Sequence, residues 1–430
     1  MKNFFKTDVL IAGSGCAGLY LAINLPRNKK ITVITKAKAE ECDSFLAQGG
    51  ICMLKDEGDF DSFFEDTLKA GHYENDRKSV ELMIKGSRDV LSDLLNCGVE
   101  FNKDQNGNFA FTKEGAHSKS RILFHKDITG KEITSKLLSK ARSLSNIEIL
   151  ESTTLLDIWE ENNRCLGGVV KTSKGELLLI GANQTVLATG GIGGLYKHST
   201  NYSHLTGDAL AIALKHNIPV RDISYVQIHP TTLYSEDKDR SFLISESVRG
   251  EGARLYGKNK KPFTNELLPR DLLTKEITEQ MKKEGSNFVW EDLSCIPKKE
   301  LENHFPNIIE HCYQKGYDVF KECIPVVPAQ HYFMGGVKID YDGQTSLNKL
   351  YAVGETACNG VHGKNRLASN SLLESLVFAK RAALKIAEDT EELDITGLSL
   401  PCLKKYEDTK ALENHYKQIV LEKIKENENV

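Results

Sequence analysis

The apolar positions of this chain fall into runs, alternations and helical spacings, and the changes between them mark its elements. The apolar run at 9–12 leads straight into Gly13-x-Gly15-x-x-Gly18. Beyond it Leu19, Leu21, Ala22 and Leu25 make the buried side of a helix, so the stretch predicts strand, tight turn and helix. Ile31-Thr-Val-Ile-Thr35 is a second strand, and residues 1–36 predict one βαβ unit. Windows 59–70 and 76–97 predict helices. In the second, Val80, Met83, Ile84, Val90, Leu91, Leu94 and Leu95 recur at helical spacing. A helix is predicted over 129–145, then strands over 147–160, 164–171 and 176–181. Thr185-Val-Leu-Ala-Thr189 predicts a further apolar strand, ending in Gly190-Gly191, and a helix starts near Asp208.

Residues from about 222 to 333 differ in texture. They hold most of the chain's prolines and little βαβ alternation, which predicts an inserted domain. The sheet pattern returns at Gly335-Gly336-Val-Lys-Ile-Asp340 and Leu350-Tyr-Ala-Val353. A long helix is predicted over 371–388, opened by Ser371-x-x-Glu374, the spacing of a capping box. In the charged tail 403–430, Leu412, Tyr416, Ile419 and Ile424 make a narrow apolar stripe, as on an amphipathic helix. The fold class expected is α/β, a doubly wound Rossmann-like domain with an inserted α+β capping domain. The expected division is 1–222 and 334–390 for the dinucleotide-binding domain, 223–333 for the insertion, and 391–430 for a C-terminal linker and helix.

Composition narrows the partners. The chain has 430 residues and a net charge of −4 with Lys and Arg spread throughout, which argues against a nucleic-acid surface. No segment approaches the ~18 uninterrupted apolar residues of a membrane helix. The N-terminal Met-Lys-Asn-Phe-Phe-Lys resembles a signal start only briefly, because its apolar run is already the first strand. The ten cysteines form no Cys-x-x-Cys pair, so no metal site is signalled, and their dispersal suits reduced thiols in the cytoplasm.

The glycine motif carries the first chemistry. Gly13 permits the turn, Gly15 lets backbone approach a pyrophosphate, and Gly18 lets helix and strand pack, with the helix N-terminus facing the phosphates. The second strand ends at Thr35-Lys36 without the acid expected for a ribose hydroxyl, which weakens an NAD reading and leaves FAD open. Ser44-Phe45-Leu46-Ala47-Gln48-Gly49-Gly50 suits backbone lying against a flat ring, and equally a turn. Four polar clusters stand out: Glu114-Gly-Ala-His117-Ser118; Gln227-Ile-His229-Pro-Thr231; Ser245-Glu246-Ser-Val-Arg249 with Arg270 after it; and Gln330-His331 with Asn365-Arg366. They lie at the seams of the inserted domain, where a cleft commonly takes a ligand. Arginines and hydrogen-bonding groups converging there suit a small dicarboxylate.

These residues resemble the L-aspartate oxidase branch of the fumarate reductase/succinate dehydrogenase flavoprotein superfamily over residues 7–390. The shared motifs are Gly13-Ser-Gly-Cys-Ala-Gly18, Ala47-Gln-Gly-Gly50, Ala188-Thr-Gly-Gly191, His229-Pro-Thr231, Arg249-Gly-Glu-Gly252, Pro269-Arg-Asp271, His331-Tyr and the run from Asn365 to Glu374. Lys113-Glu-Gly-Ala-His-Ser-Lys-Ser-Arg121 resembles the oxidase branch in particular. The resemblance implies that Ser14, Cys16 and Ala17 line the pyrophosphate, with Lys36 near the adenosine end. It implies that 44–50 flank the isoalloxazine, that Asp208 and Glu355 hold the cofactor, and that Ser371 and Leu372 lie beside the ring. Substrate carboxylates fall to His229, Ser245, His331 and Arg366, the substrate amino group to Glu114 (or, failing it, Glu246), and proton transfer to Arg270. Respiratory members carry a histidine bonded to FAD where this chain has Asp43, so a non-covalent flavin is implied. The family's further C-terminal helical domain is represented here by one predicted helix.

The activity implied is FAD-dependent oxidation of L-aspartate to iminoaspartate by hydride transfer from Cα to flavin N5. Oxygen or fumarate would be the acceptor, and quinolinate synthase a functional partner in NAD biosynthesis. The competing enzyme is a soluble fumarate reductase using the same cleft. From a different class comes a flavin-binding protein without catalysis, against which Arg270, His229, His331 and Arg366 stand.

Overall fold

The computed structural model describes residues 3–236 and 240–428, so the last two residues of the predicted tail helix lie outside the described residues. Its main sheet has seven strands. Phe4–Ala12 lies at the centre, parallel to Ile31–Ile34 on one side and Leu177–Leu187 on the other. Ile147–Leu150 extends the sheet beyond Ile31–Ile34. Both faces of the central strand are covered, which is why its end reads as an unbroken apolar run. Val9 and Ile11 face the core formed with Cys16–Asn24, Thr129–Arg142 and Asn370–Glu388. Leu10 and Ala12 face the core formed with Asp208–Lys215 and the C-terminal helix Thr409–Glu428.

Four expectations need correction. The strands predicted at 176–181 and 185–189 are one strand, Leu177–Leu187. Its polar middle, Asn183 and Gln184, stays in the sheet because Asn183 Nδ2 donates to Asp8 Oδ1 (3.0 Å) and Gln184 Nε2 to Asp389 Oδ2 (2.6 Å). The first part of this strand pairs with Arg164–Lys171 and the last part with Leu350–Ala352. Conversely, 147–160 is two strands. Ile147–Leu150 runs parallel beside Ile31–Ile34, and the chain turns at Ser152 (φ +52°) into Thr154–Glu161, which pairs antiparallel with Arg164–Lys171. The run at 335–340 does not rejoin the main sheet. Gly336–Lys338 forms a small sheet with Val220–Arg221 and Ala357–Cys358. The capping box is absent too. Ser369, at φ +61°, precedes the helix Asn370–Glu388, and Glu374 turns inward to accept from Asn359 Nδ2.

Within 226–333 a five-stranded sheet forms by antiparallel pairing around Ile324–Phe333. It has its own core, in which Leu273 and Ile277 of the helix Arg270–Glu284 pack on Val289 and Val326. The tail stripe is real: Tyr416 and Ile424 are buried against Asp208–Lys215, Val420 sits between them, and Leu412 and Ile419 are half-buried beside them. No described helix is long and apolar enough to cross a membrane.

Candidate active site

One long cleft runs between the main sheet and the inserted region. Its lining runs without a break from the glycine turn to the substrate-end side chains, which suits an extended ligand with a substrate beside it. Its middle is the glycine turn. Gly13 has φ +124°, and a Cβ there would stand 1.9 Å from Ala188 O. A Cβ on Gly18 would stand 2.1 Å from Gly13 O, so Gly18 serves helix packing and does not line the cleft. The helix Cys16–Asn24 starts at Gly15 with no side-chain cap and no acid in its first turn. Cys16 N–H is taken by Ser44 Oγ (3.1 Å), and the next N–H groups, with the positive end of the helix, are open to a phosphate. At one end of the cleft Lys36 Nζ pairs with Asp208 Oδ2 (2.9 Å), and Thr154 and Leu155 complete the wall.

Towards the other end lie Ser44, Leu46–Gly50, Glu355, Ser371 and Leu372. A Cβ on Gly50 would meet Leu123 O at 2.4 Å. Buried Asp43 Oδ2 and Gln48 Oε1 face this stretch with no partner. A glycine cradle, an uncapped helix end and orphaned buried acceptors fit an extended, anionic, hydrogen-bonding dinucleotide. Phe45 does not reach the cleft.

The far end gathers side chains from widely separated places in the sequence. Arg270, the first residue of its helix, donates from Nε to Glu246 Oε2 (2.6 Å) and from Nη1 to Gln227 Oε1 (2.9 Å). Gln227 Nε2 holds Asn365 Oδ1 and Arg366 O, both at 2.8 Å. Arg366 lies with its guanidinium 4.5 Å from the Tyr332 ring centroid, donates to Ser371 Oγ (3.1 Å) and leaves Nε without a partner. His229 and His331 stand with ring centroids 5.1 Å apart. His331 Nδ1 is 2.8 Å from Thr200 Oγ1, and His229 Nε2 has no partner. Ser245 caps the short helix Glu246–Gly250. Glu114 is buried, its two oxygens held by Ser247 and Ser369.

Burial sets the charges. It pushes both histidines well below the ordinary value, reinforced by the Arg270 charge, so they are neutral. Burial and the Arg270 charge bring Arg366 down to about 10. Burial pushes Glu246 up, but Arg270 and Arg249 outweigh it and leave the carboxyl below its usual range. Burial, and then the charge of Glu246, push Glu114 above its usual range.

An FAD binding domain family model matches residues 8–372. The L-aspartate oxidase of Clostridium perfringens is 51% identical over 389 residues, 90% of this chain and 88% of that protein. That of Clostridium acetobutylicum is 46% identical over 382 residues, covering 89% and 88%. The chain belongs to the L-aspartate oxidase family. Among solved structures, E. coli quinol fumarate reductase FrdA superposes with a TM-score of 0.85 at 29% identity, covering 96% of this chain and 74% of that one. A family member of this kind uses FAD, and the cleft provides for it.

The structure thus brings Glu114, His229, Ser245, Glu246, Arg270, His331 and Arg366 to one end of one cleft, although up to 252 positions separate them in sequence (366 − 114). The sequence clusters include Ser247 and Ser369 without a role for either, and Thr200 and Tyr332 have no role there. Ser369 and Tyr332 lie inside quoted motifs, where position in the motif was the available signal. Thr200 carried none. His117 takes a structural place: Arg121 Nη1 donates to its Nδ1 (3.0 Å), so its Nε2–H donates to Ala368 O (3.0 Å).

Proposed function

We propose that this chain oxidises L-aspartate to iminoaspartate with FAD as cofactor, oxygen or fumarate serving as electron acceptor. One observation carries the choice of substrate: a buried carboxylate, Glu114, stands among groups otherwise suited to anions. Arg366, with a free Nε, and neutral His229, His331 and Ser245 hold the two substrate carboxylates. Glu114 accepts from the substrate ammonium. Holding both ends of a four-carbon acid fixes Cα against the ring bed formed by 44–50 and Ser371, which supplies the positioning part of catalysis. Arg270, buried between Glu246 and Gln227, exchanges the proton at the neighbouring carbon when fumarate is the substrate. Bound FAD supplies acceptance of the hydride from Cα.

Ser14, Gly15, Cys16 and Ala17 would hold the pyrophosphate, Asp208 with Lys36 the adenosine end, and Glu355 the chain between. The flavin is non-covalent, because Asp43 offers a carboxylate where covalent members offer a histidine. Acid precipitation should leave yellow flavin in the supernatant. Ten free thiols suit a cytoplasmic setting. The product imine hydrolyses readily, which favours direct use by quinolinate synthase after aspartate oxidation, the first step of NAD synthesis.

A soluble fumarate reductase is the second reading, favoured by the cationic end, which serves succinate without Glu114. Iminoaspartate formation from aspartate, with succinate in parallel, separates the two. Turnover of succinate with none of aspartate would sink the first reading.

A further inference from the structure

Two hydroxyls grip Glu114, from parts of the chain 122 positions apart (369 − 247). Ser247 Oγ donates to Oε1 at 2.7 Å, and Ser369 Oγ donates to Oε2 at 2.6 Å. Each proton is directed. Ser369 Oγ accepts the Gly50 N–H at 3.2 Å, and Ser247 Oγ accepts the Ser245 hydroxyl at 3.2 Å. A serine hydroxyl has one proton and lone pairs for incoming donors. With a donor already seated on each oxygen, the remaining proton points at the carboxylate. Both oxygens of Glu114 therefore meet donors. That arrangement suits the anion and leaves the proton of a neutral acid without an acceptor.

The fit around the group is tight. A Cβ on Gly49 would stand 2.6 Å from Glu114 Oε1 and 3.3 Å from Ser369 Oγ. The charges acting on Glu114 are Glu246 against ionisation and Arg270 for it, while Arg366 and the Cys52 thiol also lie in its field. The two serines hold the carboxylate from two parts of the fold, Ser369 before the helix Asn370–Glu388 and Ser247 in the inserted region.

We propose that Ser247 and Ser369 are specificity-determining positioning residues, whose paired hydroxyls hold Glu114 as an anion aimed at the ammonium group of an α-amino dicarboxylate. This rests on the reading of the cleft as an aspartate site. The unsubstituted dicarboxylate makes no demand on the Glu114 charge, so the loss of Ser247 weighs more heavily on aspartate than on fumarate.

The test compares the parent, S247A, S369A and S247T as flavin-loaded proteins, measuring kcat/KM for aspartate oxidation and fumarate reduction from pH 5.5 to 9. Removing a hydrogen bond to a charged group lowers kcat/KM for aspartate about tenfold or more in S247A. Fumarate reduction by S247A changes less than about threefold. The acidic limb of the aspartate profile moves to higher pH in both alanine variants, because Glu114 then ionises less readily. S247T keeps a hydroxyl and restores both the rate and the limb. Equal losses for aspartate and fumarate in S247A, or an acidic limb that stays in place, would overturn the proposal. Ser247 lies away from the ring bed, so its variant decides the matter even if S369A loses flavin. A parent that turns over fumarate but no aspartate would overturn the proposed substrate and this inference together. A parent that oxidises aspartate, with an S247A that matches it, would overturn the inference alone.

Discussion

The two ends of the cleft solve different problems with different materials. The glycine end binds with backbone. Gly13, Gly15 and Gly18 stand within six residues, and their value lies in the side chains they lack. The substrate end binds with buried ionisable side chains drawn from the loop around Glu114, the strands with His229 and His331, two helices of the inserted region and the segment before Asn370–Glu388. The first end is a local solution and fails through sterics. The second is a long-range solution in which each group depends on the charge of another, and it fails through unpaired charge.

The largest effect is expected at the glycine end. Gly13→Ala puts a Cβ 1.9 Å from Ala188 O at φ +124°, where the central strand cannot yield. The backbone penalty alone is on the order of 1–3 kcal/mol, and the clash adds to it. Expected is protein with essentially no bound flavin, read as the ratio of visible to ultraviolet absorbance. A stoichiometric flavin complex would show that the turn is not the cradle.

Next comes Arg366→Ala at the substrate end. The bound carboxylate is left buried and unpaired at a cost of about 2–5 kcal/mol. Michaelis constants should rise steeply for aspartate and fumarate alike, while flavin content holds. Unchanged constants for both substrates would remove Arg366 from the site. The pair of variants sharpens the contrast, since one loses the cofactor and the other only the substrate.

Glu114→Gln is smaller and selective. A charge-assisted hydrogen bond is worth ~1.5–3 kcal/mol, roughly tenfold to a hundredfold in kcat/KM. The loss should fall on aspartate oxidation and spare fumarate reduction on the same preparation. Equal losses would mean that Glu114 only supports the loop that carries it.

The same contrast explains what could be read from the sequence. A site built of adjacent glycines is written in adjacent letters, so the βαβ unit and its turn were legible at once. The main sheet was legible where apolar runs were unbroken. It was misread in Leu177–Leu187, where Asn183 and Gln184 break the run and find partners in Asp8 and Asp389, more than 170 and 200 positions away. At the substrate end the residue types were visible as clusters, and the resemblance supplied their roles. Their mutual pairing was not visible, because Arg270 to Gln227 and Glu114 to Ser369 are contacts of the folded chain alone. Ser371-x-x-Glu374 shows the same limit: the spacing is that of a capping box, but Glu374 is drawn inward by Asn359.

Glu374 gives the smallest test, and it lies between the two ends, beside Cys16 and Ser375. Burial pushes its carboxyl up to about 7 from an ordinary 4.5, against the hydrogen bonds from Asn359 and Ser375. A carboxyl raised on folding contributes stability that is fully present below its unfolded value and is lost as pH rises towards the folded one. The window is therefore pH 4.5 to about 7, with no further loss above it. Glu374→Gln keeps an acceptor for Asn359 and has no charge to bury. Its melting temperature relative to the parent should rise across that window and level off at higher pH. The full displacement at ~1.4 kcal/mol per unit sets an upper bound near ~3 kcal/mol, and water reaching the cleft brings the expected gain to about 1–2 kcal/mol. A difference in melting temperature that stays flat from pH 4.5 to 8 would place Glu374 in a hydrated setting. The ring bed would then owe its shape to backbone, as the glycine end does, and the boundary between the two materials would shift towards Ser369.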